Sequence, residues 1–197
     1  MTTPATFPQL GLLTLRDPTA AAAIILRWNL PKEALWTAVG LVSVIVTILS
    51  TLSNMLFPVP APLNVLAANP FIYFLIAAGG FVATVYAVFW TGRFLGGQGR
   101  VEELMVLFLW LQALRAAAQA VVLVLLIVAP FLASLFVLFV GLATIWIFVH
   151  FINAGLRFES LVKSVVVLIL GAILLIVGLS ILLSMLGVSN VGVPLNV

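Results

Sequence analysis

LWLQALRAAAQAVVLVLLIVAP, Leu109 to Pro130, reads as lipid-compatible helix at all but a few positions. Arg115, flanked by Gln112 and Gln119, sets a guanidinium inside an apolar run that ends on a proline. A helix needs about 20 apolar residues to cross a hydrocarbon core about 30 Å thick. Runs of that length recur along the chain. Of 197 residues, 65% are hydrophobic and 7% charged, against roughly 25% charged in a soluble domain. Eight basic and five acidic side chains cannot hydrate a globule of this size, so lipid is the solvent for most of the chain. The expected fold is an all-α integral membrane protein, whose backbone polar groups are satisfied within helices.

Working outward, five segments are long enough. They run from Ala34 to about Leu56, from about Pro70 to Trp90, from beyond Glu103 to Pro130, from Phe131 to about Asn153, and from about Leu161 to Gly187. This divides the chain into an N-terminal segment (1–33), a five-helix domain (34–187) and a short tail (188–197). The connections set the direction. Arg16, Arg27 and Lys32 precede the first span, and NMLFPVPAPLNVLAANP after it is uncharged. TGRFLGGQGRVEE carries Arg93 and Arg100, Ala129-Pro130 carries nothing, AGLRFESLVK carries Arg157 and Lys163, and the tail is neutral. Charged and uncharged connections alternate, the positive-inside pattern of a chain with its N-terminus in the cytosol and its C-terminus outside. The expected location is the inner (cytoplasmic) membrane.

Arg115 fits the same rule. Pro130 anchors the third span at the far interface, and counting back about 20 residues places the near edge of the hydrocarbon at Trp110. Arg115 then lies about 8 Å below that edge, within reach of an arginine that buries its methylenes and lifts its head to the interface. Trp110 is expected at headgroup level. Val101 to Leu109 is surplus to the span and is expected to lie along or emerge from the cytoplasmic face.

Gln112, Arg115 and Gln119 also share one helical face, and Gln119 is too deep to snorkel. His150 and Asn153, near the cytoplasmic end of the fourth span, are natural partners. A polar cluster of Gln112, Arg115, Gln119, His150 and Asn153 is the candidate site, set against plain snorkelling of Arg115 and a structural hydrogen bond for His150.

Ahead of the first span, LRDPTAAAAIILRWNLPKEALW reads as a short helix capped by Asp17, opened by Pro18 and stopped by Pro31. Its apolar face edged by Arg16, Arg27 and Lys32 suits either the inner interface or docking on the bundle. Within the spans, Gly79, Ala83 and Ala87 step by four, Gly40, Ser43, Thr47 and Ser50 step by three or four, and Gly171 and Gly178 lie seven apart. Small faces let helices approach closely in lipid, for packing inside the bundle or against a second copy.

The lead-in LRDPTAAAAIILRWNLPKEALW, the loop GRFLGGQGRVEELMVLFLWLQ with Gly96, Gly97 and Gly99, and the closing pair of spans joined by AGLRFES together resemble the Yip family (Ypt-interacting proteins), in its bacterial branch. The resemblance covers nearly the whole length and implies a five-span bundle with a cytosolic N-terminus. Eukaryotic relatives engage Rab-type GTPases through a long N-terminal region bearing an Asp-Leu-Tyr-Gly-Pro type motif. The 1–33 segment lacks that motif, so GTPase binding is not carried over, and neither is any activity, substrate or catalytic residue.

The functional expectation is a non-enzymatic membrane protein that organises the bilayer or binds other membrane proteins or its own copies. Its alternative is a small transporter or channel built on the cytoplasm-proximal polar cluster. Transporters place ionisable groups near the midplane and break helices there. Here no acid lies inside a span, the prolines sit at span boundaries, and no internal repeat is evident. An intramembrane enzyme is the third class. Glu102-Glu103 at a span entrance is similar to prenyl-endopeptidase-like proteases, but that pattern wants an arginine where Leu107 stands and more histidines than His150. The two acids suit a helix N-terminus. No catalytic, cofactor or metal residue is expected: there is no cysteine, no nucleophile elbow and no metal-binding helix. The pI near 10 arises from scattered cations rather than a basic run, so nucleic acid is not an expected partner. MTTPATFPQLGLLTLRD has no basic lead into an apolar core, so no cleaved signal peptide is expected.

Overall fold

The computed structural model describes residues 6–58 and 69–185. Among these the only regular elements are helices: α1 (Phe7–Arg16), α2 (Pro18–Leu26), α3 (Lys32–Leu56), α4 (Pro70–Phe94), α5 (Val101–Val128), α6 (Pro130–Leu156) and α7 (Leu161–Met185). Five stretches are long and apolar enough to cross a membrane, namely α3 to α6 and Leu161–Ile181 of α7. The chain is a multi-pass membrane protein. The neutral connection around Pro58–Pro62, the end of the fifth span at Gly187 and the tail fall largely or wholly outside the described residues.

Local chemistry starts and stops these helices where the sequence places its prolines and polar caps. Asp17 Oδ1 accepts from the Ala20 N–H at 2.9 Å, with Pro18 in the first turn of α2. Asn69 Oδ1 accepts from Phe71 N at 3.0 Å and Ile72 N at 3.3 Å, with Pro70 behind it. Pro130 opens α6 directly after the extended Ala129 that ends α5. Two boundaries differ from the sequence expectation. α2 stops at Leu26, because Asn29 turns the chain left-handed at φ 41 before Pro31 is reached. A further helix, α1, precedes it, entered through Thr6, whose N–H donates to the Gln9 side chain at 3.1 Å.

α5 is the central strut, packed most extensively on α6 and also on α3; α4 lies against α3 and α7, and α6 against α7. Its 28 residues span about 42 Å at about 1.5 Å per residue, more than the roughly 30 Å hydrocarbon core. Burial along it is uneven. Every residue from Leu104 to Leu111 is buried, at 8% exposure or less, so this stretch has protein on all sides. At the other end Val124, Ile127 and Val128 are 62 to 76% exposed, like Phe131 at the start of α6. The core therefore sits at one end of the bundle, and the other end offers separate apolar helices to lipid.

That asymmetry shows what surrounds Val101 to Leu109. The stretch continues α5 as one helix and runs inside a protein sheath. Part of the sheath is the lead-in: Ala21, Ala22 and Ile25 of α2 are fully buried against α6 and α5. Alanines lay this helix close on its neighbours, so α2 is docked on the bundle.

Candidate functional site

The charged end of the bundle is built from two helix ends that stop in the same way. At the end of α4, Gly97 N donates to Gly92 O at 2.8 Å and Gly96 N to Arg93 O at 3.1 Å, with Gly96 left-handed at φ 88. At the end of α6, Phe158 N donates to Asn153 O at 3.0 Å and Arg157 N to Ala154 O at 3.3 Å, with Arg157 left-handed at φ 57. Each is a Schellman cap, which satisfies the last carbonyls of a helix. The caps dock on each other: Gln98 N donates to Leu156 O at 3.0 Å. A Cβ at Gly99 would run into the Gly155 carbonyl, and one at Gly155 would stand 2.8 Å from Leu104 Cδ2. Glycine at 99 lets loop 96–99 touch the end of α6 backbone to backbone, and glycine at 155 lets the side chains of Leu104 and Leu107 of α5 lie on the α6 backbone.

Ion pairs cross the same junction. Glu103, in the first turn of α5, accepts Arg157 Nη2 at 2.6 Å, lies 3.6 Å from Arg100 Nε, and accepts the Arg100 backbone N–H at 2.9 Å. Its side chain is only 13% exposed. Glu102 pairs with Lys32 Nζ at 3.2 Å, which ties the start of α3 to the start of α5. Both acids thus also sit at the positive end of the α5 dipole.

Trp110 locks the lead-in onto this end. It is 7% exposed, its Nε1–H donates to Thr14 Oγ1 at 3.0 Å, and Phe7 and Trp28 lie against it at 4.9 and 5.8 Å between ring centroids. The indole is covered by α1 and the residues after α2, so protein surrounds it. Thr14 is itself fully buried and donates to Leu10 O at 2.8 Å.

The structure divides the polar residues singled out from sequence into three groups. Gln112, Arg115 and Gln119 share one face of α5 and line a cleft of about 400 Å³ together with Tyr73 of α4. Arg115 Nη1 donates to Gln112 Oε1 at 3.5 Å, and Gln119 Nε2 to Ser50 Oγ at 3.4 Å, which donates to Tyr73 Oη at 2.8 Å. His150 is buried, lies tilted against Trp146 with ring centroids 4.1 Å apart, and its Nδ1 lies 2.8 Å from the Trp146 carbonyl one turn back. Asn153 donates from its amide nitrogen to Ser164 Oγ of α7 at 3.2 Å. With its amide nitrogen turned toward the connection it donates to Phe158 O at 3.0 Å and Ser160 O at 3.3 Å. No hydrogen bond joins His150 or Asn153 to Gln112 or Arg115, so the five form no single hydrogen-bonded cluster: Gln112 and Arg115 bond each other, Gln119 reaches α3, His150 binds its own helix, and Asn153 binds the turn after it and α7.

The small-residue stripes divide likewise. Ala87 is buried, and a Cβ at Gly171 would meet Val88 Cγ2 at 3.6 Å and Ala87 C at 3.9 Å, so α4 and α7 cross there. Gly79, Ala83 and Gly178 are exposed, and nothing lies within 4 Å of a Cβ built on either glycine. These three are not packing residues within the bundle. On α3, Ser43 and Thr47 are buried as the stripe implies. Composition alone missed the Glu103–Arg157 and Lys32–Glu102 pairs. Their signal was present in the charge distribution: five acids, all in or beside the cation-bearing connections, leave few pairings open.

Among the described residues no three His, Asp or Glu side chains come together as metal ligands. The family model of the Yip1 domain matches residues 12–182, from within α1 to the end of the fifth span. The match takes in most of the chain, which therefore belongs to the Yip1 domain family. No curated protein and no solved structure matches it.

Proposed function

We propose that this Yip1-domain protein, of the family's bacterial branch, is a non-enzymatic organiser that engages other membrane proteins or further copies of itself through its charged end. In this reading that end faces the cytosol from the inner membrane, as the alternation of charged and neutral connections requires. The observation that carries it is the use made of the reactive groups. Glu102 and Glu103 are held by Lys32, Arg100 and Arg157, and His150 is spent on a carbonyl of its own helix. Together with the glycine clasp they brace a platform rather than poise a reaction.

Photocrosslinkers in native membranes test this, placed at Phe94, 88% exposed beside the platform, and at Val128, 76% exposed at the far end. A defined protein adduct from position 94 that position 128 does not give is expected. Lipid adducts alone at both positions would remove the partner. Solute flux into liposomes that disappears in Arg115→Leu would replace this reading with transport.

A further inference from the structure

We propose that a cleft at the charged end binds the phosphate of an anionic phospholipid. The cleft, about 450 Å³, opens between the start of α3, the end of α4 and the first turn of α5. Three cations line it, Lys32, Arg93 and Arg100, against one carboxylate, Glu102. The carboxylate is already taken by Lys32 at 3.2 Å, and Arg100 shares Glu103 with Arg157. Arg93 has no carboxylate partner among the described residues; its guanidinium lies 5.9 Å from the centre of the Phe89 ring. The cleft therefore carries positive charge in excess, and a guanidinium free to form the paired N–H bonds that phosphate oxygens accept. Val101 at its edge opens α5, so the positive end of that helix dipole adds to the same field.

The walls point to a lipid rather than a soluble anion. Trp36 and Tyr86 line the cleft and are 49 and 41% exposed on spanning helices. Aromatic rings at such a boundary place an acyl chain alongside while the cations hold the headgroup. A zwitterionic headgroup would bring its own cation toward Lys32 and Arg93. This assignment is independent of the protein partner proposed above, because it needs only the isolated chain.

The test is native mass spectrometry of the full-length protein released from micelles containing equal phosphatidylglycerol and phosphatidylcholine. Preferential retention of phosphatidylglycerol is expected, falling about fivefold in Arg93→Gln and further in Arg93→Gln/Arg100→Gln. The control pair Arg16→Gln/Arg27→Gln removes the same charge from exposed positions outside the cleft and is expected to retain it. Equal retention of the two lipids, or an equal loss in the control pair, would overturn the site. Displacement by excess glycerol 3-phosphate would reassign the cleft to a soluble phosphate compound and overturn the lipid. Should the double variant fail to fold, Arg93→Gln alone decides, since its side chain holds no ion pair.

Discussion

Arg157 reaches from the left-handed residue that closes α6 to Glu103 in the first turn of α5, 54 positions earlier in sequence, with Nη2 to Oε1 at 2.6 Å. The pair bridges the two helices that pack most extensively, at the end where the core lies. Exposed pairs contribute little, but Glu103 is mostly covered and also accepts a backbone N–H. Glu103→Gln is therefore expected to destabilise by about 1.5–3 kcal/mol, the scale of hydrogen bonds to charged groups. Glu102→Gln, whose partner Lys32 is 78% exposed, should cost less than about 1 kcal/mol. Thermal unfolding in detergent orders the two variants, and a larger loss in Glu102→Gln would refute the assignment.

Arg157 carries two opposed effects in one residue. Its φ of 57 suits glycine, and a side-chain-bearing residue there costs about 1 kcal/mol. Arg157→Ala is expected to lose the ion pair and keep the strain, whereas Arg157→Gly loses the pair and relieves the strain. The glycine variant should be the more stable of the two by about 1 kcal/mol, measured as a difference in unfolding midpoint.

The glycines separate cleanly by position. Gly99→Ala places a methyl group on the Gly155 carbonyl and is expected to abolish accumulation in the membrane or to lower stability by about 2 kcal/mol or more. Gly79→Ala and Gly178→Ala meet nothing within 4 Å and should accumulate like the parent. A defect in self-association at Gly79 or Gly178 would instead mark those faces as contacts with another copy.

Trp110 and Thr14 form the latch of the lead-in. Trp110→Ala removes the donor to Thr14 and the ring that Phe7 and Trp28 cover, an expected cost of about 3–5 kcal/mol. Thr14→Val leaves the indole N–H buried without a partner and should cost about 1–3 kcal/mol. Both are expected to speed proteolysis at residues 27–31, the exposed stretch after α2. Unchanged cleavage would mean that α2 holds the lead-in without α1.

Reporter fusions check the orientation. Insertion at Gln98 or Ser160 is expected to report the cytosol, and insertion within 59–68 the opposite side. A cytosolic report from 59–68 would reverse the proposal.

Some of this was readable in the chain. Asp17-Pro18, Asn69-Pro70 and Ala129-Pro130 act on their own backbone within a few residues, so helix starts follow from local sequence. That Gln112, Arg115 and Gln119 share one face follows from helical spacing, and the three line one cleft, in which Arg115 is exposed. The joining of that face to His150 and Asn153 was not readable, because helix rotation sets it. His150 had a carbonyl within its own turn, and Asn153 had the connection to α7.

The sequence by itself determined that the chain spans a membrane in five passes, because burying runs of about 20 apolar residues is decided residue by residue against water. It also determined that the charges gather in alternate connections. Only the tertiary structure decided which apolar residues meet protein and which meet lipid: Leu104 to Leu111 and Val124 to Val128 are equally apolar, yet the first stretch is sheathed and the second mostly bare. Lipid tails are as apolar as leucine, so hydrophobicity cannot distinguish the two neighbours. Close backbone approach at Gly99 and Gly155, the Trp110 hydrogen bond and the Glu103 pairs make that distinction, and each joins residues that only the fold brings together.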